Sequence, residues 1–389
     1  MRWWIDFNVL SEKQKLALSN IRNQVNNPHW LQGFAGTGKS LILLHLMDQM
    51  ANVYPHATMC YITYTNALTD LVASTPMAVK GMNSFVIQTH TKFLNARKKY
   101  DYVFLDEVQD IGLDDLTKIK NYAGKLFIAG DPDQRIYDSD LTANGIVNLL
   151  NPRINELNEV YRLTMRLCQV ARSILPEARL VEGLVARKNA NASIHVMHAN
   201  SVDTECAWVW KEAIARAKPG DPSVILFPHH EELYDFAYFV SKFLAKPTPP
   251  RPSFIKKRRD YTLFNEHWKN QNIPLMYLGN SFGSLPASDH APIVYLMTYH
   301  SVKGLDFKSV FIPFLNTDTV IVDPKRLLKN PGLDRRLLFV AVTRSRENLF
   351  MTYSGSKCHH LLSKLPNDGI IRAEIGTTMS SPGVDEEFF

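Results

Sequence analysis

What the sequence has little of narrows the field before any motif is read. Only four of the 389 residues are cysteine, and Cys60, Cys168, Cys206 and Cys358 lie far apart with no C-x-x-C pair. That excludes a disulfide framework and a cysteine-rich zinc site, and the four read as small core residues. Cys358-His359-His360 and His229-His230 lack further Cys or His at zinc spacing and read as turns. No apolar run reaches the roughly 18 residues that a membrane-spanning helix needs. The opening Met1-Arg2-Trp3-Trp4-Ile5-Asp6-Phe7 has no basic patch, apolar block and small-residue cleavage site of a secretion signal. The expected setting is the cytoplasm, or the nucleus of a eukaryotic host, with no membrane partner. Charge imbalance is small as well: 44 Lys and Arg face 38 Asp and Glu, a net +6 that permits a polyanionic partner without demanding one. At 45% hydrophobic and 21% charged, the chain has core enough for two or three domains, and the disordered and fibrous classes are out.

The first chemical signal is Gly33-Phe34-Ala35-Gly36-Thr37-Gly38-Lys39-Ser40, a G-x-x-x-x-G-K-[ST] run between an apolar strand and the apolar stretch Leu41–Met47. Gly33, Gly36, Thr37 and Gly38 let backbone N–H groups turn inward around a β-phosphate, and the helix N-terminus behind them adds partial positive charge. Lys39 then reaches the β- and γ-phosphates, and the Ser40 hydroxyl ligates Mg²⁺. The second signal is Tyr102-Val103-Phe104-Leu105-Asp106-Glu107-Val108-Gln109-Asp110, an apolar run ending in acids, as a buried parallel strand does when it stops at a nucleotide. Asp106 is expected at the metal, and Glu107 is expected to orient or deprotonate an attacking water.

From these residues onward the chain resembles the superfamily 1 helicases of the UvrD/Rep type, and the resemblance follows nearly the whole chain in family order. Gln14, in Leu10-Ser11-Glu12-Lys13-Gln14, is similar to the glutamine that reads adenine, and Ser11-x-x-Gln14 is also a helix capping box. Tyr61–Asn66 resembles motif Ia and Gln88–Thr91 motif Ib, which implies strand contacts at Thr63, Tyr64, Asn66, Thr89 and His90. Gly130-Asp131-Pro132-Asp133-Gln134 through Tyr137 resembles motif III, with Gln134 sensing the γ-phosphate. Tyr161-Arg162 resembles motif IV, tyrosine on adenine and arginine at the phosphates. Thr298 through Phe307 matches motif V, which implies strand contacts at Thr298 and His300 and nucleotide contacts at Gly304 and Asp306. Arg335 through Arg346 matches motif VI, with Arg344 as the finger toward the γ-phosphate. The implied catalytic set is Lys39, Asp106, Glu107, Gln134, Arg162 and Arg344, with ATP and Mg²⁺ as cofactors.

The implied fold is α/β, with two tandem RecA-like domains, each a mainly parallel sheet covered by helices on both faces. Residues 1–150 form the first and 151–355 the second, with strands expected at Ser193–Met197, Ser223–Phe227, Ile293–Met297 and Val310–Ile312. A reduced insertion is expected around 246–290, and a C-terminal extension at 356–389. Departures from the family pattern are informative. The insertion usual in the first domain is absent between His90 and Asp106. The stacking tryptophan after motif III is replaced by Asp138-Ser139-Asp140, which moves the stacking role to Tyr64, with Tyr137 or Tyr299 as further candidates. Asp306 stands where the family has glutamate. The proline-stiffened basic loop at 250–260 and the acidic, aromatic tail Asp385–Phe389 are candidate contacts for phosphates or a protein partner. The resemblance implies an ATP-driven 3′ to 5′ translocase or helicase on single-stranded DNA, with RNA as the other candidate track. The competing reading is a nucleotide-switched binding subunit that does no unwinding.

Overall fold

The computed structural model describes residues 4–75, 85–137, 140–178, 184–187, 192–255 and 258–376. The tail Asp385–Phe389, Lys256 and Lys257 of the basic run, and Asp138 lie outside the described residues.

Along the first half, helices and strands alternate with the short loops of βα units. The order is α1 (Glu12–Asn23), β1 (His29–Gly33), α2 (Lys39–Val53), β2 (Met59–Thr63), α3 (Asn66–Ala73), β3 (Phe85–Thr89) and α4 (His90–Ala96). It continues with β4 (Tyr100–Leu105), α5 (Leu113–Tyr122), β5 (Ala123–Gly130), α6 (Ala143–Leu150) and β6 (Arg153–Leu157). These strands pair in the order β3-β2-β4-β5-β1-β6, every pair parallel. A parallel sheet covered on both faces needs strands apolar along their whole length, and β2 (Met-Cys-Tyr-Ile-Thr) is buried at all five positions. The C-terminal ends of β1, β2, β3, β4 and β5 all open on one edge, which is where the candidate residues cluster.

The second half runs β7 (Glu159–Thr164), α7 (Met165–Ile174), β8 (Leu184–Arg187), β9 (Ser193–His198), α8 (Val202–Arg216), β10 (Ser223–Phe227) and α9 (His230–Phe243). It goes on through β11 (Ser253–Ile255), β12 (Arg258–Asp260), α10 (Thr262–Asn270), β13 (Leu275–Tyr277), β14 (Val294–Thr298) and β15 (Phe307–Ile312). The last elements are α11 (Pro324–Lys329), α12 (Leu333–Val342), β16 (Ser345–Tyr353) and β17 (Ile371–Glu374). Seven of these strands form a second sheet in the order β13-β14-β10-β15-β16-β9-β17, again all parallel. Both sheets have the doubly wound architecture of RecA-like domains.

Three expectations shift at this level. The domain limits move: β6 pairs with β1, so the first sheet runs to Leu157, past residue 150, and β17 pairs with β9, so the segment after 355 supplies an edge strand and is no appendage. The stretch 246–290, expected as a reduced insertion, packs into the second domain. Its β13 extends the main sheet, and Tyr261, Phe264, Trp268 and Tyr277 are buried in one cluster with Ile225, Phe227 and Leu296. Within the basic run at 250–260, expected as a loop, β11 and β12 pair antiparallel with Phe254 opposite Arg259. Arg251 lies over the Tyr234 ring at 4.4 Å and Arg259 over Phe254 at 4.8 Å, so stacking holds the strand pair where sequence suggested only proline stiffness. No helix among the described residues is long and apolar enough to cross a membrane.

Candidate active site at the seam between the domains

The phosphate loop joins β1 to α2. Gly36 (φ 79°) and Gly38 (φ 90°) occupy the left-handed region, and neither has room for a side chain: a Cβ would lie 2.7 Å from Arg162 Cβ at Gly36 and 2.6 Å from Gln14 Nε2 at Gly38. Each of those neighbours also grips the loop. Gln14 Nε2 donates to the Thr37 carbonyl at 3.0 Å while Gln14 Oε1 accepts the Ser11 N–H at 3.1 Å, so capping box and loop clasp coexist in one side chain. At the head of β7, the Tyr161 and Arg162 N–H groups donate to the Gly36 carbonyl at 2.9 and 3.3 Å. The Tyr161 hydroxyl donates to Ser11 Oγ at 2.6 Å and also bonds Glu159; burial first, then Glu159, pushes the phenol up to about 12. Gly33 sits under the loop, where a Cβ would meet the Leu157 carbonyl at 2.6 Å.

Two side chains lead out of the loop, the buried Lys39 and the half-buried Ser40. Lys39 Nζ donates to the Gly33 and Phe34 carbonyls at 2.7 and 3.0 Å. Burial holds its ammonium below the ordinary lysine value, and Asp131, Glu107 and Asp106 pull it back up. The Ser40 hydroxyl bonds the carboxylate of Asp106, the fully buried residue just beyond β4. Asp106 Oδ2 accepts the Tyr61 hydroxyl at 3.1 Å, and Oδ1 accepts the Glu107 N–H at 2.9 Å. Burial and then the neighbouring Glu107 raise the Asp106 carboxyl above its usual range, the signature of a carboxylate short of positive charge. A hydroxyl and a carboxylate side by side fit Mg²⁺, which takes one or two protein oxygens and completes its shell with phosphate and water. Among the described residues no group of three or more His, Cys, Asp or Glu could enclose a metal.

Glu107 holds a left-handed backbone (φ 55°) that non-glycine residues seldom adopt, and strain of this kind gathers at functional sites. Burial favours its neutral form, yet Lys303, Lys39, the amide of Gln109 and Arg344 outweigh that and hold the carboxyl below its usual range. The strongest of these comes from the other domain. Lys303, in the segment between β14 and β15, is 2% exposed and places Nζ 2.5 Å from Asp110 Oδ2, 2.5 Å from the Gln134 carbonyl and 3.8 Å from Glu107 Oε2. Burial raises the Asp110 carboxyl and Lys303 draws it back down. Gln134 Nε2 donates to Asp131 Oδ2 at 2.6 Å, a bond inside the motif III turn just beyond β5.

Arg344 precedes β16, its side chain almost wholly buried. It donates from Nε to the Val340 carbonyl at 2.9 Å, from Nη1 to the Leu305 carbonyl at 3.2 Å and from Nη2 to Thr343 Oγ1 at 3.0 Å. Burial and the Arg162 charge lower it to about 9, and Glu107 and Asp306 raise it, so it faces the seam. A guanidinium has five N–H donors, and those three bonds leave two for a ligand. Asp306 lies between two guanidiniums, 3.5 Å from Arg162 Nη1 and 3.4 Å from Arg346 Nε. Gly304 (φ 86°), expected at the nucleotide, would place a Cβ 3.2 Å from Leu68 of α3, so its lack of a side chain permits close approach of the two domains.

The expected strand contacts divide by ring and hydroxyl. Tyr64 stacks on His90 (centroids 4.9 Å, 12°) and packs on Tyr137 (4.3 Å), which packs on His300 (5.5 Å) and donates its hydroxyl to the His300 carbonyl at 3.2 Å. Four half-buried rings thus form one row from the first domain to the second, with Asn66 at the start of α3 beside it. Burial, then Arg326 and His229, lowers His300 to about 4, so its imidazole is neutral near pH 7. Thr63, Thr89 and Thr298 are instead buried and spent on turns: Thr63 Oγ1 pairs with Thr69 Oγ1 at 2.6 Å, Thr89 caps α4, and Thr298 bonds Ser301. Tyr299 is fully buried and is no stacking platform. The residue that reading the sequence missed is Lys303, together with its partner Asp110 and with Gln109. All three fall inside recognisable motifs, but no spacing rule joins residue 303 to residue 110.

The UvrD-like helicase C-terminal domain family matches residues 278–356, and the AAA domain family matches residues 14–140. The probable DNA helicase of Mycoplasma pneumoniae is 25% identical over 294 residues, 72% of this chain and 47% of its own. The ATP-dependent DNA helicase Rep of Buchnera aphidicola is 41% identical over 69 residues, 17% of this chain and 10% of its own. DNA helicase II of Escherichia coli is 31% identical over 103 residues, 23% of this chain and 14% of its own. The chain spans less than half the length of these relatives. The phosphate loop and acids fall in the segment 14–140 and Lys303, Asp306 and Arg344 in the segment 278–356, and these matches support a place among the UvrD/Rep-type superfamily 1 helicases.

Proposed function

We propose that this chain is an ATP-driven motor that moves 3′ to 5′ along single-stranded DNA and separates duplex ahead of it. The observation that carries the reading is convergence at one seam. Lys39, Ser40, Asp106 and Glu107 approach from the first domain, and the charges of Lys303 and Arg344 reach Glu107 from the second. ATP would lie on the phosphate loop, with Gln14 and Tyr161 beside the base, and Mg²⁺ held by Ser40 and Asp106. The metal would draw charge from the β- and γ-phosphates. The Glu107 carboxylate would take a proton from water, while Arg162 and Arg344 meet the charge that develops on the γ-phosphoryl group.

Closure on ATP and parting after hydrolysis would act on the ring row, which spans both domains. Base stacking tolerates any sequence, so little base specificity is expected. The direction of movement rests on the family alone. The test is ATPase rate with and without single-stranded DNA or RNA, then strand displacement on duplexes tailed at either end. Stimulation without displacement would favour a clamp or a pure translocase, and no stimulation would sink the motor.

Tyr64 is central in the row, and stacking is worth about 1–3 kcal/mol per base. Tyr64→Ala should weaken binding of oligo-dT by roughly tenfold in fluorescence anisotropy at fixed salt, with strand-free ATPase unchanged. Unaltered affinity would remove the ring row from the DNA path.

A further inference from the structure

One buried side chain in the first domain, already seen to favour the ionised form of Glu107, bonds two parts of the site at once. Gln109 lies in the short helical turn after β4 and is 2% exposed. Its Nε2 donates to Glu107 Oε2 at 2.5 Å, and its Oε1 accepts the N–H of Asp131, just beyond β5, at 3.0 Å. Asp131 in turn accepts Gln134 Nε2 at 2.6 Å. Each end of the amide is matched to its neighbour: a carboxylate needs a donor and a backbone N–H needs an acceptor. Space is matched too, because a Cβ on Gly130 would lie 2.3 Å from Gln109 Oε1.

We propose that Gln109 is a positioning residue: its N–H aims the Glu107 carboxylate, and its carbonyl ties that aim to the Asp131–Gln134 turn, so that acid and turn move as one piece. The inference rests on Glu107 acting as the water-activating group in ATP hydrolysis. Glu107 has freedom to lose, since its strained backbone carries the carboxylate on a long side chain whose cationic neighbour in the first domain, Lys39, bonds loop carbonyls. Lys303 reaches the same oxygen from the second domain, but at 3.8 Å it supplies charge more than direction. A misplacement of about 1 Å near reacting atoms costs on the order of 100-fold in rate. Losing the aim should therefore lower turnover and leave nucleotide affinity alone.

Two substitutions separate aiming from mere support. Gln109→Glu keeps an oxygen for the Asp131 N–H but sets a second carboxylate against Glu107, whereas Gln109→Met loses both bonds. Steady-state ATPase, binding of a non-hydrolysable ATP analogue and thermal melting would be measured on the full chain, with Glu107→Gln alongside. The expected result is a fall in kcat of roughly 10- to 100-fold in both Gln109 variants, with analogue affinity within about twofold and a cooperative melt retained. Wild-type kcat in Gln109→Glu with loss only in Gln109→Met would mean that Gln109 merely supports the loop, and would overturn the proposal. So would wild-type kcat in both, or a loss of affinity as large as the loss of kcat. If Glu107→Gln turned over normally, the assignment of Glu107 would fail and the inference with it. A dead Glu107→Gln beside fully active Gln109 variants would sink the inference alone.

Discussion

Glu107→Gln should bind ATP with near wild-type affinity and hydrolyse it about 10³-fold more slowly, within the range that loss of a general base produces. The substitution preserves shape and keeps an oxygen to accept the Gln109 amide, so the fold of the site should survive. What it removes is a carboxylate that Lys303, Lys39, Gln109 and Arg344 together keep ionised against burial. An amide at this place has no basic oxygen to take the proton of an attacking water. The loop contacts of Gln14, Tyr161 and Arg162 do not involve residue 107, which is why affinity should hold. Phosphate release measured against analogue binding checks both halves. If the mutant turned over at the wild-type rate, water would be activated by another group, and Asp110 and Asp131 would be the acids to examine. A second consequence follows from the closed seam: the variant should stay in its ATP-bound grip on single-stranded DNA, seen as slower release from a labelled oligonucleotide.

Legibility in the sequence differed sharply between local and distant features. The phosphate loop could be read because its chemistry is consecutive: Gly36, Gly38, Lys39 and Ser40 stand within one turn, and their spacing is the geometry. The apolar run into Asp106 was legible for the same reason, since a strand buried on both faces has few other appearances. Thr63, Thr89 and Thr298 are ambiguous in sequence because a threonine at a strand end serves two chemistries. A hydroxyl that touches phosphate and one that bonds within the next turn look identical in sequence, and here Thr89 caps α4 while Thr63 and Thr298 bond Thr69 and Ser301. The edge strand β17 was hidden because Ile371–Glu374 is short, mostly exposed and polar, and gains its structure only by pairing with β9. Trp268 and Tyr277 look from sequence like pieces of a separate insertion, and only pairing of β13 with β14 shows them to be core. Long-range partners such as Lys303 and Asp110 have no local signal at all.

That pair yields the other large effect: Lys303→Met should abolish stable closure of the two domains and reduce kcat for ATP about 100-fold or more. Its ammonium is the sole lysine charge placed between Asp110, Glu107 and the Gln134 carbonyl among the contacts described, and it enters from the opposite domain. Removing one member of a buried pair costs roughly 3–5 kcal/mol, because the remaining charge is left without solvent or partner. Spread over an equilibrium between closed and open arrangements, about 3 kcal/mol is already more than a 100-fold shift. The chain need not unfold, since opening the seam returns Asp110 to water. The expected readings are therefore a lower kcat, faster limited proteolysis between the domains and a melting transition that is little changed for each domain. Adding Asp110→Asn removes the stranded charge, so Lys303→Met/Asp110→Asn should recover part of the closure that Lys303→Met loses, a positive coupling in the double-mutant cycle. The rate should not recover in step, because Glu107 would still lack the cation that most strongly favours its ionised form. Should the single mutant close and turn over like wild type, the contact would be a by-product of packing, and communication across the seam would have to run through Arg162, Asp306 and Arg344.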